Sequence, residues 1–137
     1  MTPATRVLVA RALKLREARD RAALAGAQQE HAARLEAAAR LVDAMVRERA
    51  FVQAADPRMA GATFNAWREG AGALLMAARG DAERAEAACE TVRAGLTETL
   101  RTAKGFETLM ARGDDERAQR EARRDPLLHL MVLPGRR

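Results

Sequence analysis

The sequence predicts an all-α protein: a long two-helix antiparallel coiled-coil hairpin with an apolar C-terminal tail. Alanine fills 33 of the 137 positions, and Ser, Tyr and Ile are absent. Alanine is the best helix former, and Arg, Glu, Leu and Gln follow it closely. Helix-breaking residues gather at one place near the middle of the chain, and apolar residues recur at helical spacing on both sides of it. A chain with so few bulky side chains favours long paired helices over a compact core.

The first helix is predicted over residues 4–54. Thr2 and Pro3 suit its start, because a threonine hydroxyl caps a helix and proline is favoured at the first helical position. A large apolar residue recurs every 11 positions, at Leu13, Leu24, Leu35 and Val46. An 11-residue period keeps one stripe on one side of a nearly straight helix. A shorter alternation of three and four residues overlies it between Leu35 and Val52.

The stretch "QAADPRMAGATF", residues 53–64, predicts a turn at about 55–62. Pro57 lacks an amide donor and biases Asp56 away from the helical conformation. Gly61 permits a left-handed turn, and Thr63 is able to cap a second helix. A short loop between two long helices favours antiparallel packing, so the chain is expected to fold back on itself here.

The second helix is predicted over residues 63–124. Steps of four and three residues join a set of mostly apolar positions, namely Trp67, Ala71, Leu74, Ala78, Ala82, Ala85, Cys89, Val92, Leu96, Thr99, Ala103, Phe106 and Met110. Such a heptad pattern predicts a coiled-coil seam. Asp125 and Pro126 are expected to end the helix, which leaves 125–137 as an apolar tail. The second helix should then project past the first by about ten residues at the terminal end.

The composition argues against an enzyme, a cofactor or a metal site. The chain has no Ser, one Cys and two His, whereas nucleophilic catalysis needs a nucleophile beside an oriented base. No spacing of His, Cys, Asp or Glu fits a zinc or calcium site, and neighbouring carboxylates such as Asp114 and Asp115 point apart on a helix. A single cysteine excludes an intramolecular disulfide. No apolar run approaches the length of a membrane span, so a cytoplasmic protein is expected.

The positive charge is almost entirely arginine. There are 24 basic and 19 acidic residues, and only Lys14 and Lys104 are lysines. The two signs interleave along the chain, which is typical of a solvated helix surface rather than of a nucleic-acid-binding patch. No nucleic-acid partner is therefore expected, and a basic nucleic-acid binder remains only as a distant alternative.

Apolar residues at the two ends of the hairpin are better candidates for function. Phe64 and Trp67 fall at the tip, beside Phe51 and Met59. Two helices offer little bulk to bury them, so they either close the tip or form a docking patch. The tail is also rich in large apolar residues, at Leu127, Leu128, Leu130, Met131, Val132 and Leu133. Burial in a partner and packing back on the hairpin are both open for the tail.

Two stretches resemble a known family. "RALKLREARDRAALAGAQQEHAARL", residues 11–35, resembles the first helix of the flagellar FliJ family, whose virulence-system relative is YscO. "LRTAKGFETLMARGDDERAQREARRD", residues 100–125, resembles the end of that family's second helix. Members are central-stalk proteins of type III export machines. They form antiparallel hairpins, insert their terminal end into the hexameric export ATPase, stimulate it, and contact the export-gate membrane protein FlhA with the tip side.

The resemblance implies a bacterial protein at the cytoplasmic face of a secretion apparatus, peripheral to the membrane through its partners. The implied partners are the export ATPase, an FlhA-like gate protein and export chaperones. The implied tip-side contacts are Leu41, Met45, Trp67 and Leu74, and Phe64 joins them because of its apolar position at the tip. In this interpretation Arg120, Arg123 and Arg124 are candidate contacts at the terminal end. Leu127, Leu128 and Leu130 are added to them because the tail is apolar, whereas the family usually has a charged C-terminus. Between Trp67 and Leu74 the chain has Gly70, Ala71 and Gly72, where the family often has bulky aromatic residues.

Two further classes of protein fit the same pattern. A small secretion chaperone or a generic coiled-coil adaptor would also use an exposed tip and tail, but would bind a client without affecting an ATPase. A homo-oligomeric filament would pair the second heptad pattern with other copies of the chain, and its mass in solution would exceed that of one chain.

Overall fold

A computed structural model describes residues 1–54 and 60–132 of the chain, with side chains described for 1–54 and 61–125. It consists of two helices, α1 (Pro3–Ala54, 52 residues) and α2 (Ala60–Val132, 73 residues), packed along one another. The described ranges contain no strand. The predicted all-α hairpin is confirmed.

Three contacts across the helices show that they run antiparallel. Arg6 pairs with Asp114, Thr99 donates a hydrogen bond to Asp20, and Arg34 lies 3.8 Å from Asp81. The residue number on α2 falls as the number on α1 rises. One continuous seam therefore joins the helices from the start of α1 to its end.

The start of α1 is as predicted. The amide of Thr5 donates to the Thr2 hydroxyl at 3.2 Å, and the amide of Arg6 donates to the Thr2 carbonyl at 3.0 Å. Pro3 takes the first helical position, where its missing amide proton costs nothing.

The start of α2 differs from the predicted turn at 55–62. The helix already includes Ala60, Gly61 and Thr63, and no described glycine has a positive φ. Gly61 thus adopts the helical conformation, and Thr63 lies inside the helix rather than capping it. Asp56 and Pro57, which motivated the predicted break, lie outside the described residues.

The end of α2 also differs from the sequence prediction. The helix does not stop at 124 but continues through Pro126 to Val132. A proline inside a helix removes one backbone hydrogen bond and crowds the preceding turn, which favours a break without enforcing it. The leucines after Pro126 are strong helix formers, so the helical path continues. Residues 125–132 of the predicted tail are therefore part of α2, and 133–137 lie outside the described residues.

The seam of α2 follows the predicted heptad with one exception. The residues that α1 covers almost completely are small or medium in size, namely Ala82, Ala85, Cys89, Leu96 and Thr99. The exception is Leu74, which is 60% exposed, while its neighbour Leu75 is half-buried. The alternation runs from Ala71 to Leu75 to Ala78, so the prediction was wrong by one residue there.

The 11-residue stripe predicted on α1 is wrong beyond its first half. Leu13 and Leu24 are half-buried against α2, but Leu35 is 51% and Val46 is 63% exposed. A period of 11 residues drifts across the face of a helix that pairs in heptads. The half-buried positions of α1 instead follow steps of three and four that include Glu17, Asp20 and His31.

Candidate functional site: a groove at the tip and an arginine stripe at the terminal end

A groove opens between the last turns of α1 and the first turns of α2, with a volume of about 490 Å³. We call it the tip groove. Both helices contribute to its lining, which consists of Val42, Met45, Val46, Arg49, Phe64, Trp67, Arg68 and Leu75.

Two aromatic rings form one wall of the tip groove. Phe64 and Trp67 lie three positions apart on α2, so their side chains share one face of the helix. The ring centroids are 5.9 Å apart and the planes differ by 28°, which is a stacked arrangement. The guanidinium of Arg49 on α1 lies 5.8 Å from the Phe64 centroid. This cation–π contact links the two helices at the tip.

The charged residues that line the tip groove are both basic. Its lining includes the cations Arg49 and Arg68 and no carboxylate among the described residues. Both guanidinium groups sit beside apolar side chains, so the surface suits a ligand that presents an apolar group next to an anionic one.

The structure brings together three of the five predicted tip residues. Met45, Phe64 and Trp67 line the tip groove. Leu41 is half-buried in the seam instead, because it falls on a seam position of α1. Leu74 is exposed and lies outside the groove, because Leu75 rather than Leu74 occupies the seam position. Phe51 is 76% exposed and does not line the groove, and Met59 lies outside the described residues.

Sequence reasoning missed both arginines of the groove. In the sequence, Arg49 is visible only as an interruption of an apolar pattern on α1. Arg68 is adjacent to Trp67 and has no pattern of its own. The heptad register of α1 would have placed Arg49 beside the seam, but the charged residues within that seam conceal the register.

At the opposite end, α2 continues past the start of α1. The last contact across the helices described there joins Arg6 Nη1 to Asp114 Oδ1 at 2.8 Å. That hydrogen bond, together with the positive charge of Arg6, lowers the pKa of the Asp114 carboxyl. Beyond it, residues 115–132 form about 27 Å of helix at 1.5 Å per residue. Every side chain from 115 to 125 is exposed.

The seam register continues into this extension without interruption. Steps of three and four lead from Met110 and Gly113, both half-buried, to Arg117, Arg120 and Arg124. We call these last three residues the arginine stripe. They occupy the face of α2 that is turned towards α1 in the rest of the hairpin.

The arginine stripe overlaps the predicted terminal-end set in two residues. Arg120 and Arg124 belong to it, and Arg117 is a member that the sequence reasoning missed. Arg123 lies one residue from Arg124 and so projects about 100° away from it. The side chains of Leu127, Leu128 and Leu130 lie outside the described residues.

The described residues hold no group of three His, Cys, Asp or Glu side chains close enough to share a metal ion. Cys89 is only 4% exposed in the seam, where it packs as a small apolar residue. No described helix carries an apolar segment long enough to cross a bilayer.

Comparison with known proteins returned no match to this chain among protein-family models, curated proteins or solved structures.

Proposed function

We propose that this chain is a non-enzymatic central-stalk component of a flagellar or type III protein export apparatus. In this proposal it binds and stimulates the hexameric export ATPase with its terminal end and links it to the export-gate protein with its tip. The observation that carries the proposal is the placement of two chemically different surfaces at opposite ends of one rod. The resemblance to the FliJ family supplies the identity of the partners.

The dimensions of the hairpin suit a linking role. The 52 residues of α1 correspond to about 78 Å of helix at 1.5 Å per residue. The tip groove and the arginine stripe lie close to the two ends of that length. Two partners that bind these surfaces would not compete for space, so one copy of the chain is able to hold both.

The residue types in the tip groove support the proposed contact with the FlhA-like gate protein. Aromatic residues and arginine are the types that most often dominate protein–protein binding energy, and Trp67, Phe64 and Arg49 supply them here. The groove is concave and mostly apolar, which favours a protruding apolar side chain of the partner.

The extension of α2 supports contact with the ATPase. A single exposed helix is narrow enough to enter the centre of a ring, and its arginines would orient it against carboxylates there. Export chaperones are further proposed partners, and the cytoplasmic face of the apparatus is the proposed location.

The proposal is tested by the rate of ATP hydrolysis of the cognate export ATPase, at low salt, with and without this protein. We expect stimulation that saturates with protein concentration. A variant that lacks residues 125–137 reports whether the far end of α2 contributes. Circular dichroism of each protein is the control for folding. A well-folded hairpin that leaves the hydrolysis rate unchanged would contradict the proposal.

A small secretion chaperone or coiled-coil adaptor is the second candidate, and a separate surface favours it. Leu8 and Leu15 are 65% and 70% exposed and lie two helical turns apart on α1, away from α2. A client protein would cover such a surface. This candidate predicts tight binding to an exported client and no change in ATP hydrolysis.

A further inference from the structure

We propose that the arginine stripe is the free half of a coiled-coil seam, which a partner helix with carboxylates at its own seam positions completes. The partner helix would follow the path of α1 beyond Pro3, along residues 118–125, and stack on the start of α1. This inference deepens the terminal-end contact of the proposed function and rests on that function for the identity of the partner.

Continuity with the seam of the hairpin is the first argument. From Leu75 to Arg124 the alternation of three and four residues has no insertion or deletion. A helix that keeps one heptad register presents one face to its partner throughout its length. The arginine stripe is thus already aligned to receive a second helix along the path that α1 follows.

Charge is the second argument, and it selects the partner. Three consecutive seam positions are arginine. The side chain of Arg120 is 80% exposed, and its Nη2 atom lies 4.0 Å from Oε2 of Glu116. An exposed pair of this kind contributes little, so the Arg120 guanidinium remains available. The hairpin itself uses the same chemistry across its seam, where Arg6 pairs with Asp114 and Arg34 with Asp81.

A second copy of the chain does not fit the arginine stripe. Two copies packed through the same face would set arginine against arginine at successive seam positions, which is repulsive. Glu116, Glu121 and Arg123 flank the stripe, so its edges carry both signs and favour neutral residues at the edges of the partner helix. The occupant we infer is therefore an amphipathic helix with Glu or Asp at the seam and neutral flanks.

The test measures binding of two synthetic helical peptides to the full chain by fluorescence anisotropy at low salt. The first peptide has three heptads with Leu at one seam position, Glu at the other and Gln at the flanks. In the second, Lys replaces each Glu. We expect the chain to bind the Glu peptide at least about tenfold more tightly than the Lys peptide, and added salt to reduce the ratio.

Charge-reversed variants locate the binding surface. Reversal of the stripe, R117E/R120E/R124E, is expected to invert the preference so that the Lys peptide binds better. Arg123→Glu is the matched control, because it changes the same charge one residue from the stripe, and it should leave most of the preference intact. Equal binding of both peptides to the natural chain would overturn the inference. So would an Arg123→Glu variant that loses as much of the preference for the Glu peptide as a variant with a single charge reversal within the stripe.

The same proteins separate this inference from the proposed function. A clear preference for the Glu peptide, with no stimulation of the ATPase, would retain the acidic-helix site and remove the stalk function. Stimulation of the ATPase without any peptide preference would retain the stalk and remove the acidic-helix site.

Discussion

At the scale of single residues, the most buried polar side chain in the described part of the hairpin is that of Thr99. It is 1% exposed, and its hydroxyl donates to Asp20 Oδ2 at 2.5 Å. A polar pair inside a coiled-coil seam contributes less to stability than apolar packing would, but it penalises any register that separates the two partners. We interpret the pair as a fixed point of the hairpin register.

Thr99→Val should therefore destabilise the hairpin. Valine keeps the shape of threonine but leaves the half-buried Asp20 carboxylate without its donor, and we expect the free energy of unfolding to fall by about 1–2 kcal/mol. Urea denaturation followed by circular dichroism measures this change.

Thr91→Val is the control for that substitution. Thr91 is exposed, and its hydroxyl donates to the Ala87 carbonyl of its own helix at 3.1 Å. The control should change stability by only a few tenths of a kcal/mol. Equal effects of the two substitutions would contradict the role given to the Thr99–Asp20 bond.

The ion pair between Arg6 and Asp114 predicts a pH dependence at the terminal end. Arg6 lowers the pKa of the Asp114 carboxyl in the folded state, chiefly through its hydrogen bond. The stabilisation is thus fully present above the unfolded pKa of about 4 and is lost as the pH falls through the lower folded value. Arg6→Gln should return the pKa of Asp114 towards its ordinary value.

Carboxyl chemical shifts in an NMR pH titration measure that pKa in both proteins. The stability of the natural chain and of Arg6→Gln should converge below about pH 4, and salt should weaken the difference, because both groups are in contact with solvent. An unchanged pKa of Asp114 in the variant would show that the pair does not form in solution.

At the scale of the helices, the two differ in how well their sequence predicts their role. The seam of α2 is mostly apolar, so its heptad is visible in the sequence and is confirmed over most of its length. The seam of α1 includes Glu17, Asp20 and His31. A single sequence does not show which residues of α2 face them, so these charged residues are not recognised as seam positions. The apolar residues of α1 alone suggest an 11-residue period that the structure does not follow.

The candidate site shows the same division. Phe64 and Trp67 are predictable because aromatic residues are few in this sequence and therefore conspicuous. Arg49 and Arg117 are not, since their significance depends on register against the other helix. The predicted end of α2 is misplaced because the rule for proline states a preference, and the helix continues in spite of it.

Adjacent leucines test the register of α2. Leu75 is half-buried and Leu74 is 60% exposed, although both are in the same turn. We expect Leu75→Ala to lower the free energy of unfolding by about 1–2 kcal/mol, and Leu74→Ala to change it by less than about 0.5 kcal/mol. The reverse order, measured in the same denaturation experiment, would restore the register that the sequence predicts.

Replacement of two glycines in α2 by alanine is expected to stabilise the hairpin. A Cβ added at Gly95 or Gly105 has no other atom within 4 Å, and neither residue has a positive φ. Alanine at either position should stabilise the hairpin by about 0.5–1 kcal/mol, because glycine has more conformational freedom to lose on folding. Thermal denaturation of the G95A/G105A double variant should show a higher midpoint, and a lower midpoint would contradict an uncrowded helical conformation at these two positions.

At the scale of the whole molecule, the chain is a narrow rod that has little interior and two distinct ends. The buried seam residues of the described part are few and mostly small, and 12 of its large apolar side chains are exposed. In the proposed function, its surfaces hold two partners together. We propose that the tip groove and the terminal extension bind two different partners at once.

The most direct measurement of that claim is the mass of the complex formed by this chain with the export ATPase and the cytoplasmic part of the gate protein, determined by size-exclusion chromatography with light scattering. We predict a ternary complex that needs this chain. Trp67→Ala should release only the gate protein, and R117E/R120E/R124E should release only the ATPase. Simultaneous binding would be contradicted if each partner bound the chain alone but the two never bound together. It would also be contradicted if either variant released both partners.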